Sequence, residues 1–340
     1  MRMLCVIVAF FFCAGCIDAG ENKYLTSGVS RARALAMGSA YHSVVDDFSA
    51  GLYNPGAFQF DTSQSGRRFR VFFNPVGMTV ALYDFSKYDL DFVEDDKLTG
   101  EEGLRSSALL FKGAVLTTSL FEAGINLGEE IIGETPLKNR KHFFSIEGET
   151  RNSFDTAFMN FKISQTVSIG VSGALYSSRN EGRTSQKGGY TVGVLLNPNP
   201  KLNLGIAYND IPDMLSPPRL TLESIEGETV TSGISYYPDR NTIVSIDLRN
   251  LNKEDKHANR EIHTGFERIV RDRIALRAGY YRKKLTNNDV YSIGIGILPS
   301  RSKISTYINS SGSDILSYSL LSEENGHKCR WHVFSLLLRY

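Results

Sequence analysis

From residue 67 onward the chain is written in period two, and that pattern limits the folds open to it more than any other feature. In Val290–Ile297, Tyr291, Ile293, Ile295 and Ile297 fall on one face, and Ser292, Gly294 and Gly296 on the other. Val244, Ile246 and Leu248 oppose Ser245, Asp247 and Arg249 in the same way. Ile274, Leu276, Ala278 and Tyr280 oppose Arg273, Ala275, Arg277 and Gly279, and Val167, Ile169, Val171 and Leu175 oppose Ser168, Gly170 and Ser172. Each run makes a strand with one oily and one wet face. A soluble sandwich turns the oily face inward, and a membrane barrel turns it outward.

The start of the chain bears on that choice. Arg2 precedes the apolar run Leu4–Phe12 and then small residues, a run too short to span a bilayer and typical of an export signal. Two processing sites compete. Ile17-Asp18-Ala19 suits signal peptidase, whereas Ala14-Gly15-Cys16 fits a lipobox in which Cys16 is lipidated, with Cys13 standing where Leu is usual. Cys5 and Cys13 are removed by either route, so Cys329 has no disulfide partner in the mature chain. No later segment approaches the apolar length of a membrane helix, so the exported chain is either periplasmic or an outer-membrane β-barrel.

Loop lengths favour the barrel, which alternates short periplasmic turns with longer external loops. Short connections are expected at 74–77, 112–113, 164–166, 197–201, 238–241, 270–273 and 298–302. Longer polar stretches are expected at 86–103, 127–152, 178–188, 210–229, 250–259, 282–288 and 309–330. The strands between them number about fourteen with one left over near Arg67–Phe73, either part of an N-terminal plug or half of a bent strand. At the other end, Phe334, Leu336, Leu338 and Tyr340 alternate up to a terminal aromatic residue.

Residues 31–58, RARALAMGSAYHSVVDDFSAGLYNPGAF, break this pattern. Ala32–Tyr41 is rich in small residues and suits a short helix, and Asn54-Pro55-Gly56 must turn. The division is a signal peptide at 1–19, a luminal or periplasmic segment at 20–66, and a barrel at 67–340.

Other chemistry finds little support. A net charge of +1 gives no basis for binding nucleic acid. The six histidines have no metal-ligand spacing, and His263 with Glu267 shares a strand face without a third ligand. Gly294-Ile295-Gly296 sits inside a strand with no helix after it, and no serine is marked as a nucleophile. No cofactor, metal or enzymatic activity is expected.

Three motifs carry a resemblance: Arg33-Ala34-Leu35-Ala36-Met37-Gly38-Ser39-Ala40, then Val44-Val45-Asp46-Asp47-Phe48-Ser49-Ala50, then Tyr53-Asn54-Pro55-Gly56. Together they resemble the N-terminal signature of FadL-like outer-membrane proteins, nearest the PorV-like branch with its RALGMGGA, VADDASA and YWNPAG. The likeness continues through Ile206-Ala207-Tyr208-Asn209, Gly233–Pro238, Gly265-Phe266-Glu267 and Leu276–Tyr280. Ser39 stands for a usual Gly, Gly51-Leu52 lengthens the spacing, and Pro55-Gly56-Ala57 inverts the usual order.

The resemblance implies an all-β, fourteen-stranded transmembrane barrel in the outer membrane of a double-membraned bacterium, its lumen closed by an N-terminal hatch. Arg33, Met37, Gly38, Asp46, Asp47, Asn54, Pro55 and Gly56 would form the hatch and its gate. Asp247, Arg249, Glu267 and Arg277 are the lumen charges it would meet, unless these are merely solvated. Phe334, Leu336, Leu338 and Tyr340 would be read by the barrel-assembly machinery. The implied partners are outer-membrane lipid and a hydrophobic ligand such as a long-chain fatty acid. The alternative is a PorV-like shuttle or scaffold in secretion, with secreted cargo proteins as partners and the acidic stretch 94–102 as one contact surface.

Overall fold

The computed structural model describes residues 23–26, 32–45, 48–59, 69–73, 80–83, 111–118, 120–133, 150–180, 183–211, 227–251, 260–284, 287–298, 316–325, 327–336 and 338–339. The helices are α1 (Ala32–Ala36) and α2 (Phe48–Tyr53), followed by a single 3-10 turn, Pro55–Ala57. The strands are β1 (Lys23–Thr26), β2 (Phe69–Phe73), β3 (Val80–Tyr83), β4 (Phe111–Thr117), β5 (Phe121–Gly133), β6 (Thr150–Lys162), β7 (Val167–Asn180), β8 (Arg183–Asn199) and β9 (Leu202–Ile211). They continue as β10 (Gly227–Tyr236), β11 (Thr242–Arg249), β12 (Glu261–Val270), β13 (Ile274–Lys283), β14 (Asn288–Ile297), β15 (Leu316–Asn325), β16 (His327–Leu336) and β17 (Leu338–Arg339).

All seventeen segments belong to one sheet, and every recorded pairing is antiparallel. Consecutive strands pair from β4 to β16, β17 pairs with β2, and β2 pairs with β4, so the sheet closes on itself. Closure removes the exposed edges of an open sheet. β2 and β3 run in the same direction along the C-terminal strand, Phe73 opposite Leu338 and Val80 opposite Phe334. They are one interrupted strand, which resolves the surplus near residues 67–73 in favour of the bent strand. β16 and β17 likewise share one position, and β1 lies above β4, between β3 and β5. Seventeen segments therefore occupy 17 − 3 = 14 positions among the described residues.

Which way the faces point is decided by exposure. Ile293 is 57% exposed, Ile262 56% and Ile206 51%, while Ser245 and Asp247 are at 0%. The apolar rows point out and the polar rows point in, the reverse of a soluble sandwich, and they form a continuous lipid-facing belt. Aromatic residues rim the belt: Tyr190 with Tyr208 and Tyr280 with Tyr291 at one end, Phe121 with Phe161 and Tyr318 with Phe334 at the other.

Several expected connections are corrected. The short one at 112–113 lies inside β4, and 127–133 of the long stretch 127–152 continues β5. The stretch 309–330 contains β15, whose Ser317, Ser319 and Leu321 face inward, and the chain leaves β14 and enters β15 at the end of the barrel where β6 turns into β7 and β12 into β13. Residues 178–180 and 183–188 are paired strand, with Asn180 opposite Arg183. The alternating serines of β15 satisfy an inward polar face as well as they would a loop, so polarity alone misreads them. At the β10–β11 turn, Asp239 accepts from Asn241 N (2.7 Å), Thr242 Oγ1 (3.0 Å) and Arg268 Nη1 (2.6 Å). These donors, Asn241 N–H foremost, hold its carboxyl below the usual range.

Candidate functional site: the N-terminal segment against the inner wall

The described parts of residues 32–59 lie against the polar face of the strands and are buried throughout, apart from the side chain of Phe48, which lies outside the description along with Asp46 and Asp47. Small side chains let this backbone run close to the wall, and the wall meets it with glycine. Gly170 pairs with Gly193, Gly205 with Gly233, and Gly265 with Gly279 across neighbouring strands, and Gly294 extends the seam. A Cβ on Gly265 would stand 2.6 Å from Met37 O, and one on Gly294 2.5 Å from Ala36 Cβ. At Gly205 it would collide with His42 O, and at Gly170 with the Pro55 backbone. The segment thus winds round the inside from β14 at Ala36, past β9 and β10 at His42, to β7 and β8 at Pro55.

Polar side chains of the wall take up its backbone groups. After α1 the chain turns left-handed at Gly38 (φ +60°) and Ser39 (φ 57°), which exposes several carbonyls and amides. Ser292 Oγ donates to Ala36 O (3.0 Å) and accepts from Gly38 N (3.1 Å). His263 Nδ1 donates to Gly38 O (2.7 Å), and Arg249 Nη2 donates to Ser39 O (2.5 Å). Asp247 Oδ2 accepts from Tyr41 N (2.7 Å), His42 N (3.1 Å) and His42 Nδ1 (2.7 Å). A carboxylate gathering successive amides is the wall's version of a helix cap.

Arg33 supplies the one ion pair recorded between the segment and the wall that needs no protonated histidine, among the described residues. Its Nε and Nη2 donate to Glu267 Oε2 (2.9 Å) and Oε1 (2.8 Å), while Arg277 Nε donates to the same Oε2 (2.6 Å). Glu267 and Arg277 are directly opposed on β12 and β13. All three are buried, so they are not the solvated lumen charges that were the alternative.

The second half is fastened through Asn54. Its Oδ1 accepts from Gly56 N (2.9 Å) and caps the 3-10 turn, and its Nδ2 donates to His42 O (2.7 Å) and Val194 O (3.1 Å). Asn160 Nδ2 donates to Pro55 O (3.0 Å) and Gly56 O (2.7 Å), and Ser168 Oγ donates to Gly56 O (2.7 Å). Asn203 Nδ2 reaches Ser43 O at 3.2 Å.

Of the residues singled out from the sequence, Arg33, Met37, Gly38, Asn54, Pro55 and Gly56 meet the wall, Asp247, Arg249 and Glu267 meet the segment, and Arg277 braces Glu267 from the neighbouring strand. Phe334 lies on the outer face against Tyr318, whereas Tyr340, Cys16 and the side chains of Leu336 and Leu338 fall outside the described residues. Sequence reading missed Asn160, Ser168, Asn203, Ser292, His42 and the glycine seam. Apart from His42, which lies in the segment itself, their one signal is a polar or glycine residue on the wet face of a strand, the place that Ser168, Gly170, Ser292 and Gly294 already hold in the alternation.

The inner wall is not uniform. On β9–β14 it is mainly hydroxyl, amide and charge, with Ile243 and Val290 among its apolar members, whereas on β4–β7 the large side chains Val115, Phe154, Phe158 and Tyr176 face inward and join Leu52, Tyr53 and Phe58 in one apolar cluster. Phe58 packs on Phe158 (5.3 Å between centroids) and Phe154 on Tyr176 (5.9 Å).

No protein-family model matches the chain, and no curated protein resembles it in sequence. Its fold does match solved structures. The toluene transporter TbuX of Ralstonia pickettii superposes with TM-score 0.53 at 10% identity, over 92% of this chain and 98% of TbuX. The monoaromatic hydrocarbon channel CymD gives 0.53 at 12% identity, over 91% and 96%. The toluene transporter TodX of Pseudomonas putida gives 0.50 at 10%, over 91% and 97%. A closed sheet with an apolar exterior belt and a polar interior, matched in fold to these transport proteins over nearly their whole length, makes this chain an outer-membrane β-barrel.

Proposed function

We propose that the chain is a FadL-like outer-membrane channel for apolar small molecules, and that residues 32–59 form the hatch that closes it. The observation that carries this reading is the apolar sector of Val115, Phe154, Phe158 and Tyr176 on an inner wall that an aqueous pore would keep polar. Leu52 and Phe58 of the hatch occupy that sector, and an apolar ligand would replace them there with little change in buried area. Toluene and monoaromatic hydrocarbons, carried by proteins of this fold, have the required chemistry, and long-chain fatty acids share it. The alternating Phe334, Leu336, Leu338 and Tyr340 supply the signal for the barrel-assembly machinery.

Uptake of labelled toluene and of labelled long-chain fatty acid, compared between a deletion strain and the complemented strain, tests the reading. Loss of either uptake on deletion supports it. Unchanged uptake of both, with surface secretion of other proteins lost, would assign the PorV-like shuttle role instead.

A further inference from the structure

Five inward positions line up in register across β4–β8: Gly113 opposite Asn126, Asn126 opposite Thr156, Thr156 opposite Ala174, and Ala174 opposite Gly189. None of the five is larger than asparagine. One inward step away on one side stand Phe154 and Tyr176, their rings 5.9 Å apart, and one step away on the other stand Val115 and Phe158. Successive same-face side chains of a strand are about 7 Å apart, so the row forms a recess between two ledges of large apolar groups. Ala174 faces inward and packs on the cluster yet is only partly buried, and so is Gly189, whereas Phe154, Phe158 and Tyr176 are buried. The recess is therefore open to the lumen.

Its floor holds a donor with nothing to donate to. Asn126 is 3% exposed, and its Nδ2 has no hydrogen-bond partner among the described residues. Thr156, also buried, faces inward directly across the strand pair, at about 5 Å between Cβ atoms. The asparagines that fasten the N-terminal segment behave differently: Nδ2 of Asn54, of Asn160 and of Asn203 each donates twice. Asn126 takes no part in that fastening. A buried amide N–H left unmade costs free energy that a hydrocarbon beside it does not return, whereas an acceptor oxygen does.

We infer that this recess reads a neutral oxygen on the ligand: it takes a ring-sized apolar molecule bearing one carbonyl-type acceptor, such as an aryl ketone, and Asn126 Nδ2 with the Thr156 hydroxyl selects that molecule over a hydrocarbon of the same shape. This rests on the channel reading above and narrows its substrate class. The ring lies between the Phe154–Tyr176 and Val115–Phe158 ledges, and the oxygen points to the floor. A carboxylate is not matched. The cations whose side chains are described on β4–β8 are Lys162, which holds Glu122 at 2.7 Å, and Arg183 and Lys187, which are exposed, so a buried acid would meet no paired charge in the recess. A site built to hydrogen-bond its ligand also discriminates more sharply than an apolar one, because the analogue without the oxygen leaves the donor unpaired.

The test is equilibrium dialysis of labelled acetophenone and of α-methylstyrene, in which a methylene group replaces the carbonyl oxygen, against the purified full-length barrel in detergent. Comparing the ratio of the two Kd values between wild type and variants cancels the difference in their partition into detergent. Asn126→Leu, of similar volume, should shift the ratio at least tenfold against acetophenone, with α-methylstyrene bound as in wild type or more tightly. Thr156→Val should shift it the same way by at least threefold, and it carries the test if heat-modifiable gel migration shows that Asn126→Leu does not fold. A ratio unchanged in the folded variants means that water serves the amide, which overturns the inference and leaves the channel reading standing. Benzoate bound more tightly than acetophenone at neutral pH overturns the choice of a neutral ligand. Binding of neither acetophenone nor α-methylstyrene to the wild-type barrel counts against the channel reading and overturns this inference with it.

Discussion

Arg33 and Glu267, 234 residues apart, meet through two hydrogen bonds of 2.9 and 2.8 Å inside the barrel. Because Arg277 binds the same carboxylate, Glu267→Ala would leave two buried guanidiniums facing each other. Breaking such a buried arrangement costs about 3–5 kcal/mol. The variant should still assemble but lose its hold on α1, raising single-channel conductance in planar bilayers well above wild type. Wild-type conductance would show that this ion pair does not fasten the segment.

Asn54 is a second fastening of a different kind. Asn54→Ala removes three hydrogen bonds, two of them to carbonyls left inside the barrel. At about 1 kcal/mol each, the loss is about 3 kcal/mol. Limited proteolysis should cut between residues 48 and 59 at least tenfold faster in the variant, and an unchanged cutting rate would contradict the role given to this side chain.

The glycine seam provides its own control. Gly170→Ala and Gly205→Ala place a methyl group into the Pro55 backbone and His42 O, neither of which can step aside as a flexible side chain does. Gly173 and Gly188 have nothing within 4 Å of such a methyl. The first two variants should raise conductance and the last two should not. The same conductance in all four would dissociate the seam from closure.

The left-handed turn after α1 separates two neighbouring residues. Gly38→Ala meets Thr264 O at 2.6 Å in a backbone conformation that disfavours a side chain, whereas Ser39→Gly relieves a left-handed strain of about 1 kcal/mol. Gly38→Ala should accelerate cutting of the segment, and Ser39→Gly should leave it at or below the wild-type rate, in parallel proteolysis assays.

Deleting residues 31–58 while keeping residues 1–30 should give a barrel that inserts and conducts ions more freely than wild type in planar bilayers. A deletion protein that inserts with wild-type conductance would remove the hatch role altogether.

Period two, read along Val244–Arg249 or Ile274–Tyr280, fixes which residues share a face, because successive Cβ atoms of a strand must point oppositely. The alternation, the turn at Asn54-Pro55-Gly56 and the special character of residues 31–58 were therefore legible in the sequence: each is a property of adjacent residues. Arg33, Asp247, Arg249, Glu267 and Arg277 could be marked as inward charges, but the pairing of Arg33 with Glu267 could not. It depends on where round the inner wall α1 is seated, and no local rule carries that position. The serines of β15 read as loop because polarity suits a lumen and water equally. The seam of Gly170, Gly193, Gly205, Gly233, Gly265, Gly279 and Gly294 became visible only when strand register put these residues side by side. Register is set by closure of the whole sheet, and the same closure calls on Lys23–Thr26 to serve as wall, a duty that four residues at the head of the chain give no local sign of having.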